Sequence, residues 1–111
     1  IIMTLIYDFD FESVNDIMQA LAKDMQQRRL EKNITRKMLA EISGVSLSVI
    51  VRFESQHKIS LESFVALGKA LGYSKEIKAV LSEPKFSTME ELDAIHRNKH
   101  RKRASRKETD R

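Results

Sequence analysis

The side chains most often recruited for catalysis are scarce in this chain and badly spaced. There are three histidines and no cysteine among 111 residues. His57, His96 and His100 read as members of a loop and a basic tail rather than as ligands of a metal site. The sequence has no glycine-rich phosphate loop, no nucleophile elbow and no Asp–His–Ser set. Glu90, Glu91 and Asp93 read as a solvated helix face rather than an acid–base pair. The chain is therefore not expected to be an enzyme, and no metal or cofactor is expected. What remains is the chemistry of fixed positive charge and hydrogen-bond donation. Residues 25–74 carry eight bases against four acids, and residues 96–111 carry eight bases against two. Such side chains suit oxyanions on an extended polyanion.

The elements that must hold these cations are short helices. Thr35 is a plausible N-cap for a helix whose inward positions are read as Met38, Leu39 and Ile42. Gly44 follows directly, where a chain leaving a helix often needs positive φ. Val45 is apolar, as expected of a residue buried in a turn. Ser46 can then cap a second helix with Val49, Ile50 and Phe53 at helical spacing. Two short helices joined by a glycine-containing turn can set the second one into a DNA major groove.

Three segments carry a resemblance: RRLEKNIT (28–35), LAEISGVSLSVIVRFE (39–54) and SLESFVALGKALGYS (60–74). Over roughly Asn15 to Leu81 the chain resembles the XRE family of lambda-repressor-like helix-turn-helix domains. The resemblance implies double-stranded DNA as partner. It places Ser46, Leu47, Ser48 and Arg52 against base edges. Arg52 is the clearest specificity candidate, because a guanidinium can pair bidentately with guanine; its plainer role is to neutralise a phosphate. Leu47 departs from the polar residue usual there, and can pack on a thymine methyl. Thr35, Arg36, Lys37 and Lys58 are the phosphate candidates, helped by helix N-terminal amides. Arg29 and Glu54 resemble the family's internal ion pair, which ties the first helix to the reading helix.

The expected fold is all-α: a five-helix lambda-repressor-like domain with an apolar N-terminal arm and a basic, disordered C-terminal tail. Residues 1–12 read as the arm, 13–82 as the DNA-binding domain, 83–96 as a linker and short amphipathic helix, and 97–111 as the tail. Ser13 with Asp16 forms an incomplete-looking capping box, followed by the stripe Val14, Ile17, Met18, Leu21 and Met25. Ser60 caps a fourth helix with Leu61, Phe64, Val65, Leu67 and Leu71 inward, and Gly72 stops it. Ser74 opens a fifth with Ile77, Val80 and Leu81. Pro84 marks the end of the domain. Ser87 or Thr88 begins the stretch that carries Met89, Leu92 and Ile95.

Residues 1–24 carry five acids against one lysine, so this part is expected to face away from a duplex. No apolar run approaches the ~20 residues of a membrane span. The opening IIMTLIY lacks a basic flank and a cleavage signature, so it reads as a poor signal peptide, with Met3 a candidate initiator. The expected setting is the bacterial cytoplasm, in association with the nucleoid. One reading helix covers one half-site, so a homodimer on a palindromic operator is expected. The segment PKFSTMEELDAIHRNKHRKRASRK (84–107) resembles the ends of HipB-like antitoxins, which pair with HipA-type kinase toxins. That implies an autoregulatory repressor that also binds its toxin. The alternatives are a stand-alone or prophage-type XRE regulator and a nonspecific architectural binder.

Overall fold

Five of the helices begin at a short hydroxyl side chain, the local signal that a chain needs to satisfy its first free amides. Ser13 Oγ accepts from Asp16 N at 3.0 Å, and Thr35 Oγ1 from Met38 N at 3.0 Å. Ser46 Oγ accepts from Val49 N at 3.4 Å, Ser60 Oγ from Ser63 N at 3.1 Å, and Thr88 Oγ1 from Glu91 N at 3.0 Å. The box at Ser13 closes fully, because Asp16 Oδ2 also accepts from Ser13 N at 3.1 Å.

The computed structural model describes residues 11–104, and the secondary structure among them is helical only. The helices are α1 (Val14–Glu31), α2 (Arg36–Ser43), α3 (Leu47–Gln56), α4 (Leu61–Ala70), α5 (Ser74–Lys78) and α6 (Met89–Asn98). Among the described residues the fold is all-α, as expected. Most of the arm expected over 1–12, and the tail from 105 on, lie outside the described residues.

The chain divides into two units, one ending at Lys78 and one beginning at Ala79. In the first, α3 packs against α1 and α2, and α4 against α2 and α5. The core joins Ala22, Leu39, Val45, Ile50, Phe53, Leu67 and Leu71. Val45 is buried in the α2–α3 turn as its apolar character predicts. Phe53 meets Phe64 edge to face, with centroids 6.0 Å apart and planes at 83°. Such a pair adds roughly 0.5–1.5 kcal/mol beyond its burial. Gly68 lets α5 approach α4, since a Cβ there would overlap the tip of Ile77.

Several expected inward positions face solvent instead. On α1, Val14, Ile17 and Leu21 are exposed, and the buried residues are Ala22 and Arg29. On α2, Met38 and Ile42 are exposed while Leu39 is buried, and on α4 Leu61 and Val65 are exposed. An apolar stripe records what a helix offers, but neighbours decide how much is covered. The 18 residues of α1 extend ~27 Å, and its buried residues begin only at Ala22. The fifth helix stops at Lys78, so Val80 and Leu81 lie beyond it and are exposed. Five residues cannot propagate a helix by themselves, and Pro84 disfavours helical geometry just before it.

The second unit is a turn followed by α6. Ser82 N and Oγ both donate to Ala79 O, at 3.1 and 3.0 Å. At the start of α6, Glu91 Oε1 accepts from Ser87 N at 2.6 Å and from Ser87 Oγ at 3.1 Å. The Ser87 amide, then its hydroxyl, hold the Glu91 carboxyl below the usual glutamate range. α6 runs to Asn98, two residues into the segment assigned to the tail.

Candidate nucleic-acid interface

The turn between α2 and α3 is built from backbone needs. Gly44 sits at φ 79°, in the left-handed region, and its N–H donates to Ala40 O at 2.9 Å. Two residues later, Ser46 caps α3 in extended geometry. Its hydroxyl also lies 3.2 Å from Ser48 Oγ, so two residues expected at base edges are linked to each other. α3 ends at His57, which takes left-handed geometry (φ 65°) without being glycine.

At 3.6 residues per turn, α3 separates into two sides. Ile50 and Phe53 are buried, Val49 is half-buried, and the Glu54 carboxylate turns toward the arginines described below. Leu47, Ser48, Val51, Arg52 and Ser55 share the opposite, exposed side. Val51 and Ser55 were not singled out in the sequence, although Val51 stands one turn after Leu47. The pair makes a small apolar ridge beside Arg52. Ser55 Oγ donates back to Val51 O at 2.8 Å, which occupies its proton.

Arg29 and Glu54 meet with good geometry. Arg29 Nε donates to Glu54 Oε2 at 3.0 Å and Nη2 to Oε1 at 3.2 Å, and both side chains are only 6% exposed. Arg29 Nη1 donates to Ile34 O at 2.8 Å, which ties the α1–α2 loop into the same cluster. A third member was assigned elsewhere by sequence reasoning. Arg36 Nε donates to Glu54 Oε1 at 2.7 Å, while its side chain stays 47% exposed. Arg36 thus braces α2 against α3 in addition to being a phosphate candidate. No local signal pairs residues 18 apart; the contact arises from how α2 crosses α3.

Thr35, Lys37, Ser46, Ser48, Arg52 and Lys58 are exposed. Thr35 and Ser46 cap the helices that carry the cations Arg36, Lys37 and Arg52, whereas Lys58 follows α3 in the loop before Ser60. The distribution of acids adds a further feature. Asp16 lies in the first turn of α1, Glu62 in α4, Glu76 in α5, and Glu90 and Glu91 in α6. The first turns of α2 and α3 contain none. A first-turn carboxylate offsets the positive end of the helix dipole; these two ends are left uncompensated, the state that favours an external anion.

Among the described residues, no three His, Cys, Asp or Glu side chains gather into a metal site. No described helix is long and apolar enough to cross a membrane. No curated protein and no solved structure gives a significant match to the chain. Residues 25–77 match a family model described as helix-turn-helix, a span from the second half of α1 into α5. With that match on the α2–turn–α3 geometry, residues 25–77 are similar to helix-turn-helix domains of the kind found in DNA-binding transcription regulators, consistent with the expected lambda-repressor-like all-α fold.

Proposed function

We propose that this chain is a sequence-specific transcriptional repressor whose DNA-binding domain occupies residues 13–82. The observation that carries the reading is the pair of capped, acid-free N-termini of α2 and α3 beside the exposed side of α3. α3 enters the major groove with its first turn toward the bases. Ser46 and Ser48 donate or accept at base edges, and Arg52 reads guanine through two parallel hydrogen bonds. Leu47, with Val51 behind it, packs on thymine methyl groups. Thr35, Arg36, Lys37 and Lys58 hold phosphates and set the register, which carries no sequence information by itself. The Arg29–Glu54–Arg36 cluster keeps α3 at its angle to α1 and α2. Two copies reading half-sites one helical turn apart, about 34 Å, match a palindromic operator.

The narrower reading is an autoregulatory antitoxin of a HipA-type kinase toxin, acting in the bacterial cytoplasm on nucleoid DNA. Its support is the acidic-then-basic sequence of residues 84–107. A stand-alone or prophage-type regulator is the alternative, and co-purification of a kinase-like partner separates the two.

The test of the main reading is a gel-shift titration on DNA upstream of this chain's own gene, at two salt concentrations with excess unrelated duplex. Retention of the complex, and its loss in Arg52→Ala, are the expected results. A complex that competitor erases at both salts would reduce the chain to a nonspecific duplex binder.

A further inference from the structure

The exposed side of α3 offers few hydrogen bonds to base edges. Of the residues that share it, Leu47 and Val51 are apolar, and they are 44% and 42% exposed. The serines there are partly occupied within the chain. Ser48 Oγ lies 3.2 Å from Ser46 Oγ, and Ser55 Oγ donates to Val51 O at 2.8 Å. Arg52 is left as the long donor of this side, and the apolar pair beside it must act by contact alone.

Counted around the helix from Leu47, Val51 stands at about 40°, Ser55 at about 80°, Ser48 at about 100° and Arg52 at about 140°. Leu47 and Val51 therefore form a ridge along one border of the arc that carries Arg52, about 6 Å long, or roughly two base-pair steps. The ridge is continuous with a cationic surface. The acid-free first turns of α2 and α3 and the exposed Arg36, Lys37 and Arg52 draw a polyanion to this side. In the major groove of such a polyanion the apolar feature is the C5-methyl group of thymine. 5-Methylcytosine carries the same methyl at the same ring position, and unmodified cytosine and uracil lack it. A hydrocarbon ridge exchanges no hydrogen bonds, so it senses the methyl and not the base that bears it.

We propose that the Leu47–Val51 ridge makes DNA binding by this chain responsive to cytosine methylation. A 5-methylcytosine under the ridge is accepted as a thymine methyl is, and an unmodified cytosine there is not. The proposal rests on the reading of α3 as the helix that enters the major groove. It goes beyond that reading by naming a modification of the DNA as an input to regulation.

The probe is the DNA upstream of this chain's own gene, amplified with dTTP or with dUTP. Uracil removes every thymine methyl and leaves the hydrogen-bonding edges unchanged. The full chain should bind the uracil DNA more weakly by about fourfold for each methyl it covers, the ratio expected for burying one CH₂-sized group. In the double variant Leu47→Ala with Val51→Ala, whose folding is checked by circular dichroism, the thymine-to-uracil ratio should fall to within about twofold of unity. The second arm needs only the parent chain. At a thymine that uracil substitution identifies, a C·G pair is compared with a 5-methylcytosine·G pair, so that the two duplexes differ in the methyl alone. The methylated pair should bind about fourfold more tightly. Equal affinity for those two duplexes, or for thymine and uracil DNA, overturns the proposal. A uracil effect that persists in the double variant overturns it too, since the cause is then DNA shape rather than the ridge. A complex that resists competitor but ignores the methyls leaves the repressor reading intact, whereas a complex that competitor erases sinks both.

Discussion

Substituting Glu54 by Ala should be among the most damaging changes available outside the apolar core. The carboxylate accepts from Arg29 Nε at 3.0 Å, Arg29 Nη2 at 3.2 Å and Arg36 Nε at 2.7 Å. Without it, Arg29 keeps only its bond to Ile34 O at 2.8 Å, on a side chain 6% exposed. An arginine left charged and unpaired in such a site costs roughly 3–5 kcal/mol. Arg36 is solvated enough that its own share is under about 1 kcal/mol. For a domain of this size, 1 kcal/mol moves Tm by about 4–8 °C. The expected loss for Glu54→Ala is therefore at least about 12 °C. Arg36→Ala should lower Tm by less than about 8 °C. The double change Arg29→Met with Glu54→Leu removes the buried charge along with its partner. It should recover most of the lost stability, because burying an ion pair gains little over burying apolar atoms. The assay is thermal and urea unfolding followed by circular dichroism, with operator affinity measured in parallel at a temperature where each variant is folded. The double variant should be stable and still bind DNA poorly, since nothing then orients α3 through α1. A Tm for Glu54→Ala within about 4 °C of the parent would refute the cluster's structural role.

Arg52→Ala should cost roughly 1–3 kcal/mol of discrimination against the wrong base while leaving Tm unchanged, as read by competition gel shifts with single-base operator variants. Equal losses on all sequences would instead make Arg52 a phosphate contact. Lys37→Ala and Lys58→Ala should each weaken binding uniformly and reduce the slope of log K against log salt by about 1. An unchanged slope removes that lysine from the interface. Asn33, at φ 55° after α1, should tolerate Gly well, whereas Asn33→Val should destabilise by about 1–2 kcal/mol in the same melts. At α6, the lowered Glu91 pKa means the stabilisation from its cap is complete above the ordinary glutamate value. It is lost as pH falls through the lowered one. A carboxyl-detected NMR titration should therefore place the Glu91 midpoint below 4.5, and Ser87→Pro, which removes the donating N–H, should return it toward that value.

The helix starts were legible in the sequence because capping is local. Ser13, Thr35, Ser46, Ser60 and Thr88 each accept from an amide three residues on, so spacing alone identifies them. The same holds for Gly44 and Gly72, which take positive φ at helix ends where a side chain would be strained. Local pattern also implied the sequence of two short helices, a three-residue turn and an apolar Val45 beneath it. Tertiary structure decided which apolar positions are covered. Met38 and Leu39 are adjacent and both apolar, yet only Leu39 is buried. Val14, Ile17 and Leu21 form a regular stripe that stays exposed, because the buried part of α1 begins at Ala22. Periodicity describes one helix, whereas burial depends on the crossing of two or more. The same limit explains Arg36. Its position at the start of α2 suggested a phosphate contact, but its pairing with Glu54 depends on the α2–α3 crossing, where two arginines, from α1 and α2, converge on one carboxylate of α3.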